Sequence, residues 1–197
     1  MQQTYGYQQR VGSLNFAAVI TRPDISKTTS TLSQFLQNPS PDHIAASKQA
    51  LEYLVGTKHL AIQYSGNQKD QRIFITSADS AFADDRLTRK SSYGFCFSLF
   101  GGVIHYKATK GNTVTTSSTE AELLAISQTA KNFIWWKRFF DNIQLDLQEE
   151  PVIFCDNLQT IGILTKEAPK LQTALKHVDI HQNWLRQEVQ AKRIKVE

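Results

Sequence analysis

The stretch FITSADSAFADD, residues 74–85, sets Asp79, Asp84 and Asp85 directly behind an apolar, β-like run. Carboxylates so placed have two uses. As turn residues they hydrogen-bond nearby backbone N–H groups and stay solvated. Gathered with other carboxylates they form a cluster of repelling charges, which persists where metal cations offset it. Two further acids are candidates for such a cluster. Glu122 lies in the first turns of a helical pattern, and Asp156 ends the short apolar run PVIFCD. Oxygen-only ligands suit hard ions such as Mg²⁺ or Mn²⁺. On spacing alone the opposite reading stands equally well: Asp79 caps a turn, Glu122 is solvated and Asp156 caps the following helix. Glu120 has a separate use, because Ser117 and Glu120 have the S-x-x-E spacing of a capping box. It lies about 200° round the helix from Glu122, so the two glutamates should not share a role.

The elements that must position these acids are set within a chain of 197 residues, enough for one sizeable domain or a domain with an appendage. Hydrophobic residues make up 41% and charged residues 20% of the chain, as in ordinary globular proteins. The net charge of +4 permits an anionic partner without requiring one. Cys96 and Cys155 each sit inside an apolar run, with no histidine beside them and no zinc-type spacing. They read as small core residues in a reducing, intracellular setting, cytoplasmic or nuclear. MQQTYGYQQR lacks the apolar core of a signal peptide, and no apolar run approaches the roughly 18–20 residues of a membrane span. No membrane role is expected.

Residues 1–65 read as a helical segment. QQRVGSLNFAAVI carries apolar residues near helical spacing, Pro23 suits a first turn, and DISKTTSTLSQFLQ follows. PDHIAASKQALEYLVG places Ile44, Leu51, Leu54 and Val55 on one face around the small Ser47, with Gly56 as the expected C-cap. GNQKDQ, residues 66–71, is a polar linker. From 66 to 197 the texture is α/β. RIFITSA, YGFCFSLF and VIHYKAT read as strands, with Gly101-Gly102 as the hairpin turn between the last two. A long helix begins near Ser117. PVIFCD is a short buried strand, NLQTIGILTK and about 175–191 are helical, and RIKVE starts another strand. Three antiparallel strands followed by helix, strand and helices predict a mixed sheet with packed helices.

FITSADSAFADDRLTRKSSYGF, KATKGNTVTTSSTEAELLAIS, IFCDN and KHVDI together resemble the RNase H domain of copia-type retrotransposon polyproteins. VGSLNFAAVITRPDIS, LSQFLQNPSPDH and ALEYLVGTKHL are similar to the helical region after the reverse transcriptase palm of the same polyproteins. The resemblance covers nearly the whole chain. It implies an RNase H-like fold and a site of acidic residues holding two Mg²⁺ or Mn²⁺ ions. The matching residues are Asp79, Glu122 and Asp156, with Asp79 bridging both metals and Asp84 and Asp85 left as surface residues. It also implies two-metal hydrolysis of the RNA strand of an RNA–DNA hybrid.

Departures from the family pattern are visible too. Its fourth acid is expected after the strand that RIKVE begins, so the domain reads as truncated at its C-terminal end. Asp179 in KHVDI is the nearest substitute. Gly111 stands where glutamine is common, Tyr106 where tryptophan is frequent, and His181 where arginine is commoner. No Y-x-D-D polymerase motif occurs, so polymerase activity is not expected of this chain. Arg86, Arg89, Lys90, Lys107, Lys110, Lys176 and His177 are the cations available to contact a hybrid; Arg89, Lys90, Lys107, Lys110, Lys176 and His177 carry that expectation. The aromatics of FIWWKRFF fit a core better than a base-stacking platform. The alternative function is a catalytically weak remnant that binds nucleic acid or packs against the polymerase part of a reverse transcriptase. The expected setting is a virus-like particle in the cytoplasm, or the nucleus.

Overall fold

The computed structural model describes residues 2–65, 72–165 and 176–197. The linker GNQKDQ lies outside them, as do the side chains of Lys176 and His177. The chain divides into two compact units, Met1–Gln63 with Lys107–Thr109, and Tyr64–Tyr106 with Lys110–Glu197.

In the first unit, α1 (Gln2–Ile20) is followed by a 3₁₀ turn (Pro23–Ile25), α2 (Ser26–Ser33) and α3 (Pro41–Gly56). Tyr7, Val11, Leu14 and Ala18 recur at helical spacing along α1 and form a buried stripe against Ile25, Leu32 and Ala50. The TRPD motif closes this unit. Buried Arg22 donates to Asp24 Oδ2 (2.7 Å) and Thr57 Oγ1 (2.6 Å), and Asp24 Oδ2 also accepts from the Tyr53 hydroxyl (2.9 Å). Two details differ from the sequence reading. The buried face of α3 runs through Ile44, Ser47, Ala50 and Leu54, while Val55 is exposed. Gly56 is the last helical residue and Thr57 is the cap, because the Thr57 N–H closes the final turn on Tyr53 O. At the other end of α3, Ser40 and His43 complete a capping box in which histidine takes the usual place of glutamate.

The second unit is a five-stranded sheet of order β3-β2-β1-β4-β5, comprising β1 (Phe74–Ala81), β2 (Ser92–Leu99), β3 (Gly102–Lys110), β4 (Val152–Phe154) and β5 (Lys195–Val196). Strands β1 and β2 pair antiparallel from Phe74↔Leu99 to Ala81↔Ser92. Along β1, Phe74, Thr76 and Ala78 face the core, while Ser77 and Asp79 are exposed. This is the alternation of a strand with one face on the core. Asp79 lies within β1 and not at its end. The β2–β3 hairpin turns at Phe100 (φ 52°) and Gly101 (φ 80°). Both are left-handed, as the mirror-image two-residue turn demands. The turn therefore sits one residue earlier than Gly101-Gly102. Gly102 begins β3, where a Cβ would run into the Tyr64 ring, whose hydroxyl donates to Val103 O (3.0 Å).

A parallel neighbour needs a crossover, and α4 (Ser118–Asn142) supplies the one from the antiparallel half to β4. It packs on β1 and β2. Its first half is buried on almost every side, including Ala121, Leu123, Leu124 and Ile126. Strand β4 pairs with β1 at Thr76↔Ile153 and Ser77↔Phe154. Helices α5 (Leu158–Thr165) and α6 (Lys176–Gln190) then lead to β5, parallel to β4 at Val152↔Lys195 and Ile153↔Val196. The sheet is thus mixed, with three antiparallel strands followed by parallel ones, as the sequence pattern predicts. One residue beyond the formal strands, Cys155 N–H donates to Glu197 O (2.9 Å).

Candidate metal centre

Parallel pairing carries β1 and β4 in the same direction, so Asp79 and Asp156 lie on the same side of the sheet's midline. Helix α4 adds Glu122 from its second turn. That carboxylate is buried, and its Oε1 accepts from the Ser80 N–H (3.2 Å) and Oγ (2.6 Å), which ties the helix to β1. The Cys155 thiol faces Glu122 Oε2 at 4.0 Å and accepts from the Asn157 N–H (3.4 Å). Ligand atoms of Glu122, Cys155 and Asp156 all lie within 4.8 Å of one another. Among the described residues, neither Asp79 nor Asp179 belongs to such a group. Asp79 is exposed opposite Gly94 of β2, and Asp179 sits in the first turn of α6.

The electrostatics define the charge that a cation would meet. Burial raises the Glu122 pKa above the usual carboxylate value, the charges of Asp79 and Asp156 raise it further, and the Ser80 bonds oppose both. Burial pushes the Cys155 thiol up to about 11, so it is neutral at pH 7. The charged donors are therefore carboxylates, and a hard divalent cation fits them. Sequence reasoning treated Cys155 only as a core residue. Its place beside Glu122 comes from tertiary packing, for which the CD dipeptide gives no signal.

The solvated alternative fails at two of its three positions. Glu122 is buried. Asn157, and not Asp156, caps α5, its Oδ1 accepting from the Thr160 N–H (2.9 Å). Glu120 departs from a full capping box: Ser117 Oγ accepts its N–H (3.2 Å), while its carboxylate turns to the Thr116 N–H (2.7 Å) and hydroxyl (2.8 Å). Asp85 is more than a surface residue. Its Oδ1 accepts from the Thr88 N–H (2.6 Å) and hydroxyl (2.8 Å), and its Oδ2 pairs with Lys110 Nζ (2.6 Å). Lys110, expected at a hybrid, is thus held by Asp85. Arg89 and Lys107 are exposed and Lys90 is half-buried.

The departures from the family pattern have local explanations in part. At Gly111 a Cβ would stand 2.9 Å from the Tyr93 ring and 3.0 Å from Ser91 O, so a larger residue there requires the Tyr93 ring to move. His181 Nδ1 hydrogen-bonds buried Ser127 Oγ (2.7 Å), linking α6 to α4. Tyr106 is half-buried in β3. The aromatic cluster is mixed. Phe133 and Phe140 are core, and Trp136 is half-buried, its indole N–H donating to His105 Nδ1 (3.2 Å). Trp135 is 57% exposed and stacks on Phe139. Cys96 is half-buried, less enclosed than its apolar run predicts.

No family model matches the chain. It is 36% identical over 190 residues to the retrovirus-related Pol polyprotein from transposon TNT 1-94 of Nicotiana tabacum, covering 96% of this chain and 14% of the polyprotein. The corresponding polyprotein from transposon RE1 of Arabidopsis thaliana is 31% identical over 191 residues, covering 96% and 13%. The chain's homologues are retrovirus-related Pol polyproteins. The chain spans about one seventh of their length, 14% and 13% in these two cases. It is also 33% identical over 129 residues to the secreted RxLR effector protein 161 of Plasmopara viticola, covering 66% of this chain and 89% of that protein. Among solved structures, LC11-RNase H1, isolated from compost, aligns over 64% of this chain and 84% of its own, with 13% identity and a TM-score of 0.46. The same protein has been solved with an RNA/DNA hybrid (11% identity, TM-score 0.44, 63% and 83% covered).

Proposed function

We propose that residues 66–197 are the RNase H-type nuclease segment of a copia-type retrotransposon polyprotein, cutting the RNA strand of RNA–DNA hybrids. Residues 1–65 are then the helical region that follows the reverse transcriptase palm, a natural contact for the polymerase part. The observation that carries this reading is the meeting of buried Glu122 with Asp156 beside the β1–β4 pair, within reach of the Asp79 charge. Glu122, Asp156 and Asp79 would hold Mg²⁺ or Mn²⁺. Bound there, two such ions supply an activated water and stabilise the leaving oxygen. The chain's own residues prepare that chemistry. Ser80 fixes the Glu122 carboxylate in one orientation, and the neutral Cys155 thiol fills space beside it without adding charge. A reverse-transcribing particle in the cytoplasm, or the nucleus, is the setting that goes with this reading.

One observation favours a second reading. Asp79 and Asp179 stand outside the tight group, so the site offers two close carboxylates and a thiol. A weak or inactive nuclease that still binds nucleic acid follows from that geometry. Cleavage of an end-labelled RNA–DNA hybrid with Mg²⁺, with Mn²⁺ and with chelator separates the two. Metal-dependent cleavage that is lost in Glu122→Gln supports the nuclease. Hybrid binding with no cleavage under either metal supports the second reading.

A further inference from the structure

The β1–β2 loop, residues 82–91, carries Arg86, Arg89 and Lys90 directly after the strand that holds Asp79 and Ser80, yet is organised by an acid. Asp85 accepts from the Leu87 N–H (3.1 Å), the Thr88 N–H (2.6 Å) and the Thr88 hydroxyl (2.8 Å) through one oxygen, and from Lys110 Nζ (2.6 Å) through the other. Its backbone closes the loop as well, since Asp85 N–H donates to Lys90 O (3.2 Å) and Arg89 N–H to Asp85 O (2.8 Å). Arg89 is held in the left-handed region (φ 54°). A non-glycine residue adopts that conformation chiefly where its surroundings impose it. The loop ends are pinned by fully buried Ser91, whose Oγ accepts from the Ala83 N–H (3.0 Å) and bonds Thr115 Oγ1 (2.7 Å). The outward side carries Arg86 and Arg89, both exposed, around the apolar tip Leu87, which is 84% exposed.

We propose that Asp85 is a positioning residue, holding this loop in one shape so that Arg86, Arg89 and Lys90 meet backbone phosphates of a nucleic-acid duplex lying across the carboxylate site. The inference rests on the nuclease reading above. Through space alone an aspartate among these cations opposes a polyanion, and Lys110 offsets that charge at contact distance. What Asp85 contributes is shape. Long cationic side chains on a fixed backbone lose less freedom on binding than the same side chains on a loose loop.

The test measures binding of a labelled RNA–DNA hybrid in chelator, from about 50 to 200 mM salt, for the full chain. Asp85→Ala removes a negative charge, so simple electrostatics predicts tighter binding. Positioning predicts weaker binding, by about tenfold, with a shallower salt slope because fewer phosphates are neutralised. Arg86→Ala/Arg89→Ala should lower the slope by roughly 1.5–2, two contacts' worth. Asp85→Asn keeps the Oδ1 acceptor and should fall between. Trypsin should cut Asp85→Ala faster than the parent after Arg86 and Arg89, a readout that needs no nucleic acid. Asp85→Ala binding as tightly as the parent or tighter overturns the inference and leaves the nuclease reading standing. A parent chain without hybrid affinity overturns both. Equal losses on single strands overturn the assignment to a duplex.

Discussion

The two halves of the sheet are built differently. On the antiparallel side β1 and β2 share an eight-residue ladder, and β3 follows through a two-residue turn. On the parallel side β4 has three residues and β5 two. Their acids titrate in opposite directions. Asp85, beyond the long ladder, is held well below the usual carboxylate range, first by Lys110 and then by Thr88. Glu122, bonded to Ser80 of β1 and beside the Asp156 that follows β4, is raised by burial and by its neighbours' charge. Asp85 is bonded through both oxygens and organises its loop, while Glu122 takes two bonds from Ser80 on one oxygen and has the Asp156 carboxylate beside it. Local pairing builds the first half, and parallel pairing brings Asp156 to the same end of the sheet as Asp79.

The sharpest way to break this contrast is at Phe97, fully buried in β2 and packed between Phe74, Phe95 and His105. Phe97→Ala should cost about 3–5 kcal/mol in denaturant unfolding. Val196→Ala, buried on a two-residue strand, should cost about 1–2 kcal/mol from two lost methyl groups. Equal costs would show that the parallel edge carries as much stability as the ladder.

Glu122→Gln should lower hybrid cleavage by more than about a hundredfold while leaving folding intact, since Gln Oε1 can still accept from Ser80. Its pH signature is specific. A carboxyl raised in the folded state keeps its proton where the unfolded chain has lost it. Its stabilising share is full below the ordinary carboxylate value and is lost as pH rises through the raised one. Thermal melts without divalent ions, from about pH 4 to 8, should show this fall in the parent and a flatter curve in Glu122→Gln. Mg²⁺ or Mn²⁺ should restore stability to the parent alone by binding only its folded state. Asp85→Asn should act at the other end, weakening the loss of stability in acid that the lowered carboxyl produces.

The smallest effect is expected at Glu120, whose carboxylate bonds Thr116 and whose N–H bonds Ser117, both in the turn just before it. Glu120→Ala should cost roughly 0.5–2 kcal/mol with cleavage nearly unchanged. A large loss of cleavage would make Glu120 part of the site and erase the distinction between the two glutamates.

Much of this was legible in the sequence where the signal is local. Short runs rich in β-branched and aromatic residues marked β1 to β3, and the S-x-x-E pattern marked the start of α4. Errors arose where strand register or packing overrides the local preference. Gly101-Gly102 and Phe100-Gly101 both permit a mirror-image turn, and only the strand register decides between them. Leu51 and Val55 fit the α3 stripe by spacing, but Ser47 and Ala50 are the residues small enough for the close approach. Long-range partners left no trace at all. Nothing in ADDRLTRK shows that Lys110 seats on Asp85, or in FCDN that Cys155 lies against Glu122.

The cap of α5 gives the order of two neighbouring residues a meaning. Asn157 spends its side-chain oxygen on the Thr160 N–H, which leaves the Asp156 carboxylate unclaimed by the helix that follows. Reversing the pair to Asn-Asp would preserve the composition, the charge and a competent cap. The acid would then be consumed as the capping group, one residue or about 3.8 Å further along the chain. A neutral amide would face Glu122. The dipeptide is therefore read directionally: its second letter does the architecture, which leaves the first unclaimed by the cap.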